Sequence, residues 1–298
     1  MYRFEYAQRK HGRNFKITCP ACGQKHKYNL FFDNENNCFA PEEFGKCDRI
    51  NHCGYEHRPE GQKVLNPNTL HHEIQPMSVF DKGVVKEYAK TVFKDPLSLY
   101  LIKKFGARGK QVLRDYIVTS KYIEDWLTYA PVFWYIDDNN EVRSGKVMNY
   151  EVSEGYPKRT KYKQTCFNFK WLHTNIEDYN YAQIVFGAHL VTKYPEKEIH
   201  IVESEKTALI MACVKPEYIW LATLAFTGLQ EEFLPDLKGR KIVAHPDKGE
   251  KTFNYWTERI KEFLDKNLVL SGEVSTFTEE NDLLEEGDDV ADYVILKL

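Results

Sequence analysis

Two cysteine pairs near the N-terminus set what the first segment of this chain can become. Cys19-Pro20-Ala21-Cys22-Gly23 is a Cys-x-x-Cys-Gly knuckle. Its tight turn points two thiolates at one metal, and the glycine lets the backbone follow them. The second half, Cys47-Asp48-Arg49-Ile50-Asn51-His52-Cys53-Gly54-Tyr55, is more widely spaced, but Cys53-Gly54 repeats the Cys-Gly ending of the first. Cys19, Cys22, Cys47 and Cys53 are therefore the expected zinc ligands, with His52 and Cys38 as rivals. A redox Cys-x-x-Cys opens a helix after a strand, a texture that Gly23-Gln24-Lys25-His26 lacks. Cys38, Cys166 and Cys213 read as small buried hydrophobes. A four-thiolate zinc is closed and does no chemistry. Its use is to stiffen a hairpin on which Lys25, Lys27, Tyr28 and Arg49 can meet phosphates or bases. Residues 1–60, poor in apolar periodicity, need such a staple and are expected to form a small zinc ribbon.

The remainder has a folding composition, 42% hydrophobic and 29% charged. Arg58-Pro59-Glu60-Gly61 and Asn66-Pro67-Asn68 predict a linker. From Ser78, a plausible N-cap, apolar residues at Val79, Phe80, Val84, Val85, Tyr88, Ala89 and Phe93 predict a helix. A second helix is expected over 96–105, stopped at Gly106. Residues 132–136 predict a strand, with a turn at 137–140 and a returning partner over 142–150. From about Lys193 the texture changes to short apolar runs at 199–202, 219–222 and 241–244, with a last strand over 271–277. Helical patterns separate them at 204–213 and 252–264. That alternation predicts an α/β domain with a parallel sheet. The expected organisation is 1–60 zinc ribbon, 61–190 an α+β basic middle region, and 191–298 the α/β domain.

Carboxylates sit where two of those strands end. Val202-Glu203-Ser204-Glu205-Lys206 places Glu203 just before a helix, and Ala244-His245-Pro246-Asp247 does the same for Asp247. Ligands of open α/β sheets bind at that edge, and carboxylates from two strands can share magnesium, a hard cation that keeps water and phosphate in its other positions. Gly287-Asp288-Asp289-Val290-Ala291-Asp292-Tyr293 follows the last strand and can complete the site. Each carboxylate alone is more often a helix cap; three at three strand ends favour a site.

The order zinc ribbon, Val202-Glu203-Ser204-Glu205-Lys206, Pro246-Asp247, then Gly287 to Tyr293 resembles DnaG-type primases. More closely, the chain is similar to a primase-like family of phages and mobile elements with a VESEKTA signature, here Val202 to Ala208. The resemblance implies a toprim-like (Rossmann-like) C-terminal domain after the ribbon, magnesium-dependent nucleotidyl transfer, and RNA primer synthesis on single-stranded template DNA from ribonucleotides. A replicative helicase is a possible partner in such a system. It puts Glu203 on the general acid/base glutamate, Asp247 on the first aspartate of the D-x-D motif, and Asp289 and Asp292 on the third motif. Glu203, Asp247 and Asp289 are the implied magnesium ligands. Two expected acids are replaced, by Gly249 and Thr207, so the site can hold one metal, bind metal weakly, or be inactive. A degenerate DNA-binding accessory protein and a toprim-type nuclease are the rival readings.

Residues 156–171 interleave Lys158, Arg159, Lys161, Lys163 and Lys170 with Tyr156, Tyr162, Phe167, Phe169 and Trp171. Cations track phosphates and rings stack on bases; the alternative is a surface hairpin with its rings in the core. Lys146 joins Lys158, Arg159, Lys161, Lys163 and Trp171 as a candidate nucleic-acid contact, although Ser144-Gly145-Lys146 is no P-loop. The net charge of −3 excludes a polycation, yet residues 1–30 carry seven basic groups against one acid, and 271–298 nine acids against one lysine. No run approaches the roughly 20 apolar residues of a membrane span. The first ten residues lack an apolar signal region, so a cytoplasmic protein without a membrane partner is expected.

Overall fold

The structure, a computed structural model, describes residues 3–7, 16–25, 27–48, 53–59, 77–124, 127–153, 155–160, 169–177 and 179–297. They form two compact units: residues up to 78 with 177–183, and residues 79–176 with 184 onward.

The first unit is built on β-strands β1 (Phe4–Tyr6), β2 (Lys16–Ile17), β3 (Tyr28–Asp33), β4 (Cys38–Phe39), β5 (Gly45–Cys47) and β6 (Glu56–His57). Strand β3 is its axis. It runs antiparallel to β1, β2, β4 and β5, and β5 carries β6. Every residue of β3 is buried. The core is Ala7, Cys19, Tyr28, Leu30, Phe32 and Cys47, too few side chains to hold a sheet without a crosslink. Asp33, buried at the end of β3, is matched by Arg3 at 3.0 Å and Asn36 at 2.9 Å.

In the second unit, α1 (Lys82–Tyr88), α2 (Pro96–Phe105) and α3 (Ala107–Asp115) precede a sheet of β7 (Thr119–Ile123), β8 (Thr128–Ile136), β9 (Val142–Met148) and later β12 (Phe169–Trp171). Its order is β12-β9-β8-β7, all antiparallel. Strands β10 (Tyr150–Ser153) and β11 (Tyr156–Arg159) form a separate hairpin.

The first helix is shorter than the periodicity predicts. Asp81, whose side chain accepts from the Gly83 N–H at 2.7 Å, caps it in place of Ser78. Helix α2 matches its expected bounds: Asp95 accepts from the Ser98 N–H, Pro96 takes the first turn, and Gly106 at φ 58° ends it. The returning strand expected over 142–150 breaks at Asn149, and the chain leaves the sheet to make the β10–β11 hairpin.

The rest of this unit is α4 (His189–Lys193), β13 (Ile199–Val202), α5 (Glu205–Val214), β14 (Ile219–Ala222), β15 (Lys241–Ala244), α6 (Glu250–Asp265), β16 (Ser271–Val274), α7 (Phe277–Glu280) and α8 (Val290–Lys297). The four strands pair in parallel in the order β14-β13-β15-β16. Strands β13 and β14 are buried throughout, as a sheet covered on both faces requires. Helix α5 buries eight of its ten residues, and α6 turns Trp256, Ile260 and Phe263 inward. Residues on both sides of position 190, from Leu97 to Ala291, share one hydrophobic core. With the central strands adjacent and parallel, Glu203 and Asp247 come to the same carboxyl edge. No helix among the described residues is long and apolar enough to cross a membrane.

Helices α2 and α3 touch at Gly109, where an added Cβ would lie 2.3 Å from the Leu101 carbonyl oxygen. Gly109→Ala gains up to about 1 kcal/mol of helix propensity but forces two backbones apart, an overpacking cost of about 1–3 kcal/mol. A melting temperature lowered by a few degrees is expected in thermal denaturation; an unchanged or higher value contradicts the close approach.

Candidate functional site

The turn before β3 carries Cys19 and Cys22, the end of β5 carries Cys47, and Cys53 precedes β6. Their four sulfurs lie within 4.8 Å of one another. Cys19 Sγ stands 3.7 Å from Cys53 Sγ and Cys22 Sγ 3.9 Å from Cys47 Sγ. A tetrahedral zinc with Zn–S bonds of about 2.3 Å sets its sulfurs about 3.8 Å apart, so the donor set fits that ion. Gly23 at φ 67° and Gly54 at φ 72° turn both knuckles alike. The Gln24 N–H pulls the Cys22 thiol down to about 7, toward the thiolate that a metal needs. Cys38 lies apart, in β4 opposite Asp33; His52 and Cys166 lie outside the described residues.

At the carboxyl edge of the parallel sheet, Glu203 follows β13 and Asp247 follows β15. Burial pushes Glu203 up to about 7; Asp289 adds to the rise, while the Asp247 and Phe226 backbone N–H groups and Arg159 oppose it. Burial pushes Asp247 up to about 8, reinforced by the charges of Glu203, Asp289 and Asp292 and opposed by Lys206. Oxygen Oε1 of Glu203 is buried and has no hydrogen-bond partner among the described residues. The two raised carboxyls reflect burial first and neighbouring negative charge second.

Asp289 and Asp292 stand differently. Asp289 Oδ1 accepts from the N–H groups of Ala291 at 2.8 Å and Asp292 at 3.0 Å, and Asp292 Oδ2 accepts from the Asp289 N–H at 2.9 Å. That reciprocal pattern is a capping box at the start of α8. Thr207, which replaces an expected acid, donates its hydroxyl to Asp289 Oδ2 at 2.5 Å. Lys206 Nζ lies 3.4 Å from Asp292 Oδ1 and 4.0 Å from Asp289 Oδ2. The Tyr156 hydroxyl donates to Asp292 and accepts from Lys206. Gly249, the other replaced acid, donates its N–H to Glu279 at 2.6 Å. Among the described residues, the cysteines are the one cluster in which three or more such ligand atoms lie this close together.

The expectation that Lys146 contacts nucleic acid is corrected. Its side chain is buried, 6% exposed, and its ammonium lies 2.8 Å from the fully buried Glu205, which also accepts from the Tyr135 hydroxyl at 2.6 Å. Although burial alone would raise the Glu205 carboxyl, Lys146 and Arg159 hold it below its ordinary value. Trp171 is half-buried and packs on Tyr135, with ring centroids 5.2 Å apart, so part of its surface belongs to the core. Lys25, Lys27, Lys158 and Arg159 are exposed. Arg159 also feels Tyr150, Glu205 and Asp247, whose electrostatic pull outweighs its partial desolvation. Arg49, Lys161 and Lys163 lie outside the described residues. The sequence alone did not mark Lys206 or the role of Tyr156; the lysine beside Glu205, in the first turn of the helix after Glu203, was the available signal.

A zinc-stapled β-ribbon unit and an α/β unit with an acidic edge thus define the class of protein. The family described as Domain of unknown function (DUF6371) matches residues 95–248, more than half of the chain, and the chain belongs to that family. A zinc beta-ribbon finger family matches residues 2–68; with the four-cysteine cluster it supports a structural zinc. Among solved structures, the chain is similar to the primase fragment of the bacteriophage T7 primase-helicase protein, at 14% identity over 95% of this chain and 94% of that one, with a TM-score of 0.42. It is similar to the zinc-binding and RNA polymerase domains of the Aquifex aeolicus primase, at 11% identity over 94% and 75%, with a TM-score of 0.47. The E. coli primase catalytic core matches at 10% identity over 72% and 74%, with a TM-score of 0.43. No curated protein matches the chain.

Chelating the zinc, or substituting Cys47→Ser, should remove amide protection from β3 in hydrogen exchange; protection that survives loss of the metal contradicts the staple. Lys146→Met should destabilise by about 3–5 kcal/mol, because it leaves Glu205 buried without its cation. Lys146→Met with Glu205→Leu should recover most of that loss in denaturant unfolding; equal losses in the single and double variants would dismiss the pair.

Proposed function

We propose that the chain is a magnesium-dependent nucleotidyltransferase of the primase type, with a toprim-like α/β domain, which binds single-stranded DNA and joins ribonucleotides on it. The observation that carries this reading is the buried, unpartnered Oε1 of Glu203, set at the carboxyl edge of parallel strands and electrostatically linked to Asp247. An all-oxygen donor set, one of whose atoms lacks a hydrogen bond, suits a hard cation. Glu203 and Asp247 are the residues to hold it. Magnesium bound there supplies positive charge to a phosphoryl group that would otherwise repel a nucleophile.

The chain's own groups complete the arrangement. Arg159, beside Asp247, is placed to meet a substrate phosphate. Lys25 and Lys27 on the ribbon and Lys158 on β11 track template phosphates. The sequence resemblance at Val202 to Ala208 points the same way. Gly249 and the engagement of Thr207 with Asp289 favour a second reading, a DNA-binding accessory protein without catalysis.

Incubation with single-stranded DNA, ribonucleotides and magnesium separates these readings. Labelled primers are expected, and Glu203→Ala should abolish them while leaving the mobility shift intact. A shift without product supports the accessory reading, and shortened DNA a nuclease.

The acidic edge also predicts a pH dependence. Glu203 and Asp247 have folded-state values of about 7 and 8, above the ordinary value of about 4 for free carboxylates. Their contribution to stability is therefore fully present below about pH 4 and lost as pH rises through 7–8. Without magnesium, the melting temperature should fall between about pH 4 and 8, less steeply in Glu203→Gln. Saturating magnesium should offset the fall. Identical profiles for wild type and Glu203→Gln would remove Glu203 from the charged centre.

A further inference from the structure

The four acids at this edge are not equivalent. Both oxygens of Asp289 and both of Asp292 are engaged within the chain: by the capping box of α8, by the Thr207 hydroxyl, by the Tyr156 hydroxyl and by the Lys206 ammonium. Withdrawing Asp289 or Asp292 toward a cation would uncap α8 and expose the Lys206 ammonium to a second positive charge. Glu203 has no such obligations on Oε1, which is buried and unpartnered. No hydrogen bond to an Asp247 side-chain oxygen is found among the described residues either.

We propose, building on the magnesium reading above, that this centre takes a single divalent cation on Glu203 and Asp247, and that the Lys206 ammonium is a built-in second positive charge held on Asp289 and Asp292. Several features of the sequence then fit together. Gly249 and Thr207 bring no carboxylate of their own to this edge. Thr207 instead fixes Asp289, and the preceding residue supplies the cation. Lys206 reaches this place because it lies in the first turn of α5, after the Ser204 cap and Glu205, on the helix that leaves Glu203. The Tyr156 ring, with its centroid 4.4 Å from Lys206 Nζ, adds a cation–π contact that holds the ammonium over the two aspartates. A fixed ammonium needs no assembly from solution, so a phosphate drawn to this edge would meet a second positive charge once one cation had bound. Lys206 is thus a candidate phosphate-contacting residue of this site.

The test is a manganese titration of the full zinc-loaded chain, read by the electron paramagnetic resonance signal of free ion, without nucleotide or DNA. Wild type should bind one manganese ion per chain, and Glu203→Gln none. Lys206→Met, which removes the repulsion of the ammonium but leaves the α8 cap in place, should still bind one ion and bind it more tightly, whereas Lys206→Arg, which keeps the charge, should bind one with wild-type affinity. Zinc content and the thermal melt check that each variant is folded; should Lys206→Met fail to fold, the wild-type stoichiometry and Lys206→Arg decide. Two ions on wild type, or one on Lys206→Met with unaltered affinity, overturns the role of Lys206 while leaving the magnesium reading intact. No ion on wild type overturns both.

Discussion

Negative charge buried at the carboxyl edge of a parallel sheet is the constraint around which the α/β unit is arranged. A buried carboxylate is tolerated when a cation or several N–H groups answer it, and is otherwise driven toward its neutral form. Glu205 is answered by Lys146, which reaches it from β9. Asp289 and Asp292 are answered by their own helix and by Lys206. Glu203 retains an unpartnered oxygen, and Asp247 beside it is raised to about 8. The imbalance is local, and it falls where strand ends leave a ligand access.

The same pairings fix the architecture. Lys146 and Tyr135 belong to the antiparallel sheet, and Glu205 opens the helix that follows the first parallel strand. One buried ion pair therefore links the antiparallel sheet to the helix that follows the first parallel strand. Buried pairs are weak sources of net stability, but breaking one is costly, which makes the contact a means of holding α5 in register. Tyr156 works similarly from the β10–β11 hairpin, tying it to Lys206 and Asp292. The zinc knuckles meet a different need, crosslinking a unit whose apolar core is small.

Much of this was legible in the residues. The knuckles follow from Cys-Gly spacing, and the parallel strands from short apolar runs, because burial on both faces leaves little room for polar alternation. Helix α2 follows from Asp95-Pro96 and Gly106. What escaped were features set by tertiary contact. Helix α3, with few apolar residues of its own, folds against α2 at Gly109. Lys146 looked like a surface cation because its partner, Glu205, lies far along the chain. Asp289 and Asp292, expected at the acidic site from their position after the last strand, also form the capping box of α8, a role that only the side-chain hydrogen bonds reveal. Lys206 was passed over because a lysine at the start of a helix usually reads as solvated.

That Glu203 and Asp247 together form the cation site is most directly tested by anomalous diffraction from crystals of the full chain soaked in manganese. The account predicts a single peak bonded to carboxylate oxygens of Glu203 and Asp247, with Lys206 still on Asp292. A peak bonded instead to Asp289 and Asp292, or density at the acidic edge that stays free of manganese, would contradict it.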